Sequence, residues 1–430
     1  MDAIVSLPLE VRLAGLFVLG TLAGALANAA IYRLAWRPRP ISPWLPRPAE
    51  APPRRIADYV PIIGWLGLRR ENGLHGRGFW IRPMLVELLL GLTWAGLYGW
   101  EIARFGLLPV EPPQPATDAL MLVLHGQYAA HLLLIWLMLV ASLIDFDEKL
   151  IPDAITVPGT LLGLVIAAAV PWSLLPGLVI ASGEKFPAQL WQILGPSTWP
   201  FLHVASPNAW PALLGGFPQV SALPIGLACW WLWCVGVMPR TWYTRHGLVR
   251  ACQLCAARLA REGSTYRMIV LGMVGTAAIG GVWILGGRPW IGLMTALLGM
   301  AASGGIVWVV RVVGSFALGR EAMGFGDVML MAMIGTFLGW QACLLVFFLA
   351  PVAGLVLGIL QAILFRDTEI PYGPFLSLAA FGTIVAWQPL WDWAWGMFAI
   401  GGLVPIAVAV CMALTGVLLA AWRLIRSSFG

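Results

Sequence analysis

Glu321-Ala322-Met323-Gly324-Phe325-Gly326-Asp327-Val328-Met329-Leu330 places a carboxylate, Asp327, just after two glycines and at the head of a long apolar run. A carboxylate at the edge of a membrane span is costly, so the chain must pair it or use it. The comparable position is Asp145, which closes the apolar run from Leu132 to Ile144 and is followed by Phe146-Asp147-Glu148-Lys149-Leu150-Ile151-Pro152-Asp153. The expectation is that Asp145 and Asp327 meet at one face of a membrane.

Working outward, hydrophobic residues make up 60% of the 430 and charged residues only 11%, with a mean hydropathy of +0.84. No soluble domain of this length needs such a balance, so the chain reads as a polytopic all-α membrane protein. The 24 tryptophans suit rings that settle at the lipid–water boundary. Met1 to Glu10 lacks the basic start of a cleaved signal, and none is expected. Of the six cysteines, Cys252 and Cys255 form a single C-x-x-C near His246; without a second pair they are read as ordinary thiols, and no metal is expected.

Arginine placement sets the orientation. Residues 36–82 carry Arg37, Arg39, Arg47, Arg54, Arg55, Arg69, Arg70, Arg77 and Arg82, and residues 238–267 carry Arg240, Arg245, Arg250, Arg258, Arg261 and Arg267. By the positive-inside rule both loops are cytoplasmic. The N-terminus is then outside, the C-terminus inside, and the apolar runs give about 11 crossings. Four of these separate Asp145 from Asp327, an even number, which returns both to the cytoplasmic face. His125 and His131, at the start of the third span, are read as packed or interfacial side chains rather than ligands.

Two neighbouring carboxylates supply a base for water and an acid for a leaving amine, because like charges held close do not both ionise easily. They titrate as a unit, so neither role goes to either residue. Gly324 and Gly326 give the backbone room to approach a substrate, and Pro152 prevents the Asp145 helix from running on into Asp153. The bland alternative is that Asp327 caps the helix behind it and Asp145 is one cytoplasmic acid among several. A different class, a proton- or cation-coupled secondary transporter using the same two acids, would place them near mid-membrane and show two similar halves.

With Ile144-Asp145-Phe146-Asp147, Ile151-Pro152-Asp153 and the G-x-G-D at Gly324 to Asp327, the chain resembles the type IV prepilin peptidases, membrane aspartic proteases. Asn28-Ala29-Ala30-Ile31-Tyr32-Arg33, Tyr59-Val60-Pro61-Ile62-Ile63-Gly64-Trp65-Leu66, Met84-Leu85-Val86-Glu87-Leu88 and Ile370-Pro371-Tyr372-Gly373-Pro374-Phe375 also look like family stretches. The resemblance implies cleavage of a basic leader from prepilins or pseudopilins at the cytoplasmic face of a bacterial inner membrane, with Asp145 and Asp327 catalytic. In two-function members, methylation of the new N-terminus by S-adenosylmethionine follows, and Asn28, Arg33 and Glu87 are the candidates for that part. Asp147, Glu148 and Glu321 are candidate contacts for the leader, with Asp153 beside them.

Three departures stand out. Residues 36–82 contain no cysteine, where two-function members commonly carry paired C-x-x-C motifs, so no zinc is expected there. Met329 stands where lysine is usual. The aspartates lie 182 positions apart, wider than the family typically needs. The division expected is an N-terminal part at 1–118, first catalytic spans at 119–180, an inserted region with two extra spans at 181–289, and second catalytic spans with a C-terminal bundle at 290–430.

Overall fold

In a computed structural model, the residues described are 7–39, 41–108, 118–176, 220–238, 263–319, 321, 323–364, 371–399 and 403–429. They form helices and no strands: α1 (Leu9–Leu34), α2 (Ile81–Tyr98), α3 (Asp118–Glu148), α4 (Asp153–Ala169), α5 (Ala222–Val237), α6 (Gly263–Leu285), α7 (Gly287–Leu318), α8 (Phe325–Leu364), α9 (Gly373–Val385), α10 (Trp387–Ala399) and α11 (Leu403–Phe429). In an apolar medium every backbone N–H and C=O must find its partner within the segment, so the apolar runs become helices. Among the described residues, six helical stretches are long and apolar enough by length and composition to cross a membrane, one of them the stretch Phe325–Val356 that breaks at Gly339, and four further apolar helices are shorter. This fits a multi-pass membrane protein. Cys252, Cys255, His246 and most arginines of the second basic loop lie outside the described residues.

The helix boundaries follow local signals. Pro152 precedes α4, which opens on Asp153 in its first turn. Gly319, in the left-handed conformation at φ 68°, ends α7. Residues around Trp391-Asp392-Trp393 belong to helix α10, in which Trp387, Trp391, Ala394 and Phe398 pack inward at helical spacing. Helix α3, which carries Asp145 near its end, starts at Asp118.

The apolar run from Val328 to Leu364 also divides at an unexpected place. Gly339, at φ 78° and ψ 170°, breaks α8 in a region open essentially to glycine alone. Gly326 and Gly373 both abut Ile151, and Gly354 abuts Phe375. Residues 326 and 354 therefore stand at similar depth, although a straight helix would separate them by about 42 Å. The chain therefore reverses at Gly339.

The core is built around α7 and α8, which pack on each other most extensively, with α4 and α9 alongside. At their crossing Gly299 faces Gly335, whose absent side chain lets the Ser303 hydroxyl reach the Met331 carbonyl at 2.9 Å. A second pair, α1 and α2, packs against α3. His131 and Glu101 are wholly buried and joined at 2.7 Å, which ties α3 to the π-turn Gly99–Ala103 that continues α2.

The basic loop 36–82 is folded in spite of its prolines. Short helical turns cover Ile56–Tyr59, Ile63–Gly67, Leu68–Glu71 and Asn72–His75. Arg54 pairs with buried Glu71, Arg70 with buried Asp58, and Arg69 lies over the Trp80 ring at 4.0 Å. Burial alone would push the Asp58 carboxyl up, but hydrogen bonds from Arg70 and the Arg55 N–H outweigh it and hold the group below its ordinary value. A carboxyl depressed in this way adds stability above its unfolded pKa and loses it as pH falls through the lower folded value. Asp58→Asn removes the pair at every pH and is expected to speed tryptic cleavage within 36–82 severalfold at pH 7. Wild-type resistance in the variant would mean that the pair does not hold the loop.

Candidate active site

Asp145 lies in the last turn of α3 and Asp327 in the first turn of α8. Both are buried, at 5% and 6% exposure, and close enough for the charge of Asp145 to act on Asp327. The fold thus brings the two acids into one neighbourhood around Ile151. Each is also fixed by backbone. Asp145 Oδ2 accepts the Gly373 N–H at 3.2 Å, and Asp327 accepts the Gly324 N–H. Asp327 lies inside the first turn of a helix that begins at Phe325 and reaches back to the Gly324 N–H, so it is not the residue in front of a helix starting at Val328 that the bland reading made it.

The glycines at the site mark close approaches. A Cβ on Gly373 would stand 2.6 Å from Asp145 Oδ2 and 2.9 Å from Ile151 Cδ1; one on Gly326 would stand 2.9 Å from Ile151 Cβ. Ile151, delivered by the turn after α3, is therefore the wedge against which both the G-x-G-D segment and the start of α9 are seated. Gly324, by contrast, is exposed and meets only Asp327 itself. Pro152 caps α4 and leaves Asp153 exposed on its first turn. Tyr372 stands near Asp327, and burial, with that carboxylate adding to it, pushes its phenol up to about 12. It is an O–H donor at neutral pH.

The other acids have partners within the chain. Asp147 pairs with Arg82 at 2.6 Å. Glu148 accepts the backbone N–H groups of Trp36 at 2.6 Å and Arg37 at 3.1 Å. Exposed Glu321 pairs with Arg311, which also donates to the Met323 carbonyl at 2.9 Å. Gly373, Ile151, Arg82 and Arg311 are contributors that the sequence reading gave no role. For Gly373 the Pro371-Tyr372-Gly373-Pro374 stretch was a visible sign.

Asn28 and Glu87 come together, and Arg33 does not join them. Glu87, buried in α2, accepts Asn28 Nδ2 at 3.1 Å, Trp65 Nε1 at 2.8 Å and the Ile62 N–H. Ile62 has φ 64° and ψ −61°, and the Ile63 N–H reaches the Pro61 carbonyl at 2.7 Å, the geometry of a strained γ-turn. Glu87 is what holds that turn. Arg33 is exposed at the end of α1. Among the described residues, no three His, Cys, Asp or Glu side chains form a group able to hold a metal ion.

Residues 132–183 and 261–359 match the model of the type IV leader peptidase family. Asp145 falls in the first matched segment and Asp327 in the second. The chain is 32% identical over 114 residues to the prepilin leader peptidase/N-methyltransferase of Aeromonas salmonicida, covering 26% of this chain and 38% of that protein. It is 35% identical over 106 residues to the protein of the same name from Stutzerimonas stutzeri, covering 21% and 37%, and 34% identical over 92 residues to that of Pseudomonas aeruginosa, covering 21% and 30%. The matches thus span about a third of the length of these curated relatives. No solved structure matches the chain.

Proposed function

We propose that the chain is a membrane aspartic endopeptidase that removes the basic leader of a prepilin or pseudopilin, with Asp145 and Asp327 sharing the proton transfers. The observation carrying this reading is the junction of those two acids, each at a helix end and each within a segment matched by the leader peptidase family. One carboxylate takes a proton from water as it attacks the scissile carbonyl, and the other, protonated, donates to the leaving nitrogen. The Gly373 N–H steadies Asp145, and the phenol of Tyr372 is a donor beside Asp327. Terminal positions on the helices favour this over coupled transport, which would bury such acids at mid-span.

In this reading the site faces the cytoplasm of a bacterial inner membrane, on the side of the arginine-rich loops. The substrate helix stays in lipid while its leader lies across the acids. Asp147, Glu148, Asp153 and Glu321 add a field that attracts a basic leader, modest because it is screened and because Asp147 and Glu321 already pair with arginines. Residues 119–180 and 290–430 form the catalytic spans, 1–118 the N-terminal part, and 181–289 an insertion. The family match leaves 184–260 unmatched but takes in 261–289, so it is in keeping with an insertion over 184–260 and not with one that also contains α6.

The relatives' name couples cleavage to N-methylation, for which S-adenosylmethionine would supply the methyl group. Asn28 and Glu87 do not fit a cradle for it, since Glu87 already accepts three hydrogen bonds from this chain and Arg33 stands apart. They fit a clasp that fastens the loop 36–82 to α1 and α2. Co-expression with a prepilin, followed by the mass of the product, tests both activities. Removal of the leader supports the peptidase, an intact prepilin overturns it, and an added methyl group on the new N-terminus would show that transfer occurs through other residues.

A further inference from the structure

Two arginines outside the acid pair occupy corresponding positions around it. Arg82, in the first turn of α2, donates through Nη1 to Asp147 at 2.6 Å and through Nη2 to the Leu143 carbonyl at 3.0 Å. These partners lie two residues either side of Asp145. Arg311, on α7, donates through Nε to the Met323 carbonyl at 2.9 Å and pairs through Nη2 with Glu321, while its guanidinium lies 5.8 Å from the centre of the Phe325 ring. These partners lead directly into Asp327. Each acid therefore sits on a segment whose backbone and carboxylate are gripped by an arginine from another element.

The bonding suits the residue type. A guanidinium donates in two directions from one rigid plane, so it fixes a carbonyl and a carboxylate relative to each other; an ammonium on a flexible stem does not. Glu148 adds to the hold on the Asp145 side by taking the Trp36 and Arg37 N–H groups, so both ends of the loop 36–82 are fastened to the last turn of α3. The acids come from remote parts of the chain, and the chemistry depends on their separation. A displacement of about 1 Å in such a pair costs on the order of 100-fold in rate.

We propose that Arg82 and Arg311 are positioning residues that set the distance between Asp145 and Asp327, an inference that rests on the peptidase reading. It assigns Asp147 and Glu321 first to the arginines and only second to the leader. The test is steady-state cleavage of a prepilin by the detergent-solubilised full chain, in wild type, Arg82→Gln, Arg82→Lys, Arg311→Gln, Arg311→Lys and Arg82→Gln/Asp147→Asn. The Gln variants are expected to lose about 10-fold in kcat with KM within about 2-fold, since positioning acts on the transition state. The Lys variants should recover part of that loss, and the double variant should be no slower than Arg82→Gln, because Asp147 acts through Arg82.

Thermal unfolding of each variant separates a misplaced site from a misfolded chain: a Gln variant that loses rate while its Lys counterpart melts with wild type and recovers is the expected pattern. Wild-type kcat in both Gln variants, or a rise in KM alone that disappears for a leader stripped of its lysines and arginines, would overturn the clamps. Asp145→Asn and Asp327→Asn serve as controls. If they cleave, the peptidase reading itself fails; if they do not, while the Gln variants cleave normally, only the clamp proposal fails.

Discussion

Asp145→Asn or Asp327→Asn is expected to leave a co-expressed prepilin uncut, with kcat reduced by about 10³-fold. Asparagine keeps the size of the carboxylate and can still accept the bonds from Gly373 or Gly324, so the helix ends remain seated. What it cannot do is carry a proton back and forth. With either acid gone, the pair loses the shared proton that lets one member act as base while the other acts as acid. The two losses should not add: the double variant is expected to be about as slow as either single one, as for groups that act as a unit. The measurement is the fraction of leader removed at a fixed time, with membrane-inserted protein quantified alongside. Normal cleavage by either variant would sink the assignment.

Gly373→Ala is expected to cost about 10²-fold in kcat without unfolding the chain. The new methyl would sit 2.6 Å from Asp145 Oδ2 and 2.9 Å from Ile151 Cδ1, inside ordinary contact with both. The carboxylate must swing away, and the N–H bond that orients it at 3.2 Å is lost or stretched. Ile151 cannot yield freely, because it also supports Gly326. Gly382→Ala on the same helix is the matched control, since a methyl there meets nothing within 4 Å and should leave kcat within about 2-fold of wild type. Equal rates for the two alanine variants would show that contact at Gly373 has no bearing on the chemistry.

The acid pair was legible because its signals are local and binary. A carboxylate at each end of a long apolar run is conspicuous, and the even number of crossings expected between them puts both on one side in the sequence reading, a result that one span more or fewer would reverse. The joints between remote segments were not. Arg82 is one of many arginines in a basic loop, and only the fold shows that its partners flank Asp145. Glu87 was a candidate for chemistry because the Met84–Leu88 stretch resembles a family motif; its purpose here includes holding the strained turn at Ile62. The reversal at Gly339 was hidden because the apolar run continues past it with only Thr336 and Gln341 as polar interruptions close by, and Gly335 and Gly354 nearby are similar to it in sequence but helical in conformation.

That reversal bears on the lipid around the site. The arm from 325 to 338 has 14 residues, a rod about 21 Å long, whereas the hydrocarbon slab of a bilayer is about 30 Å thick. Such a rod cannot reach from one headgroup layer to the other. The turn at Gly339 then ends inside the bundle short of the far headgroups, or the slab pinches inward around the arm, or Asp327, at its foot, sits beneath the headgroups; in the last two cases water descends to meet the acids. A substrate helix arriving sideways through the lipid would then find its first polar surroundings at the depth where its bond is to be cut.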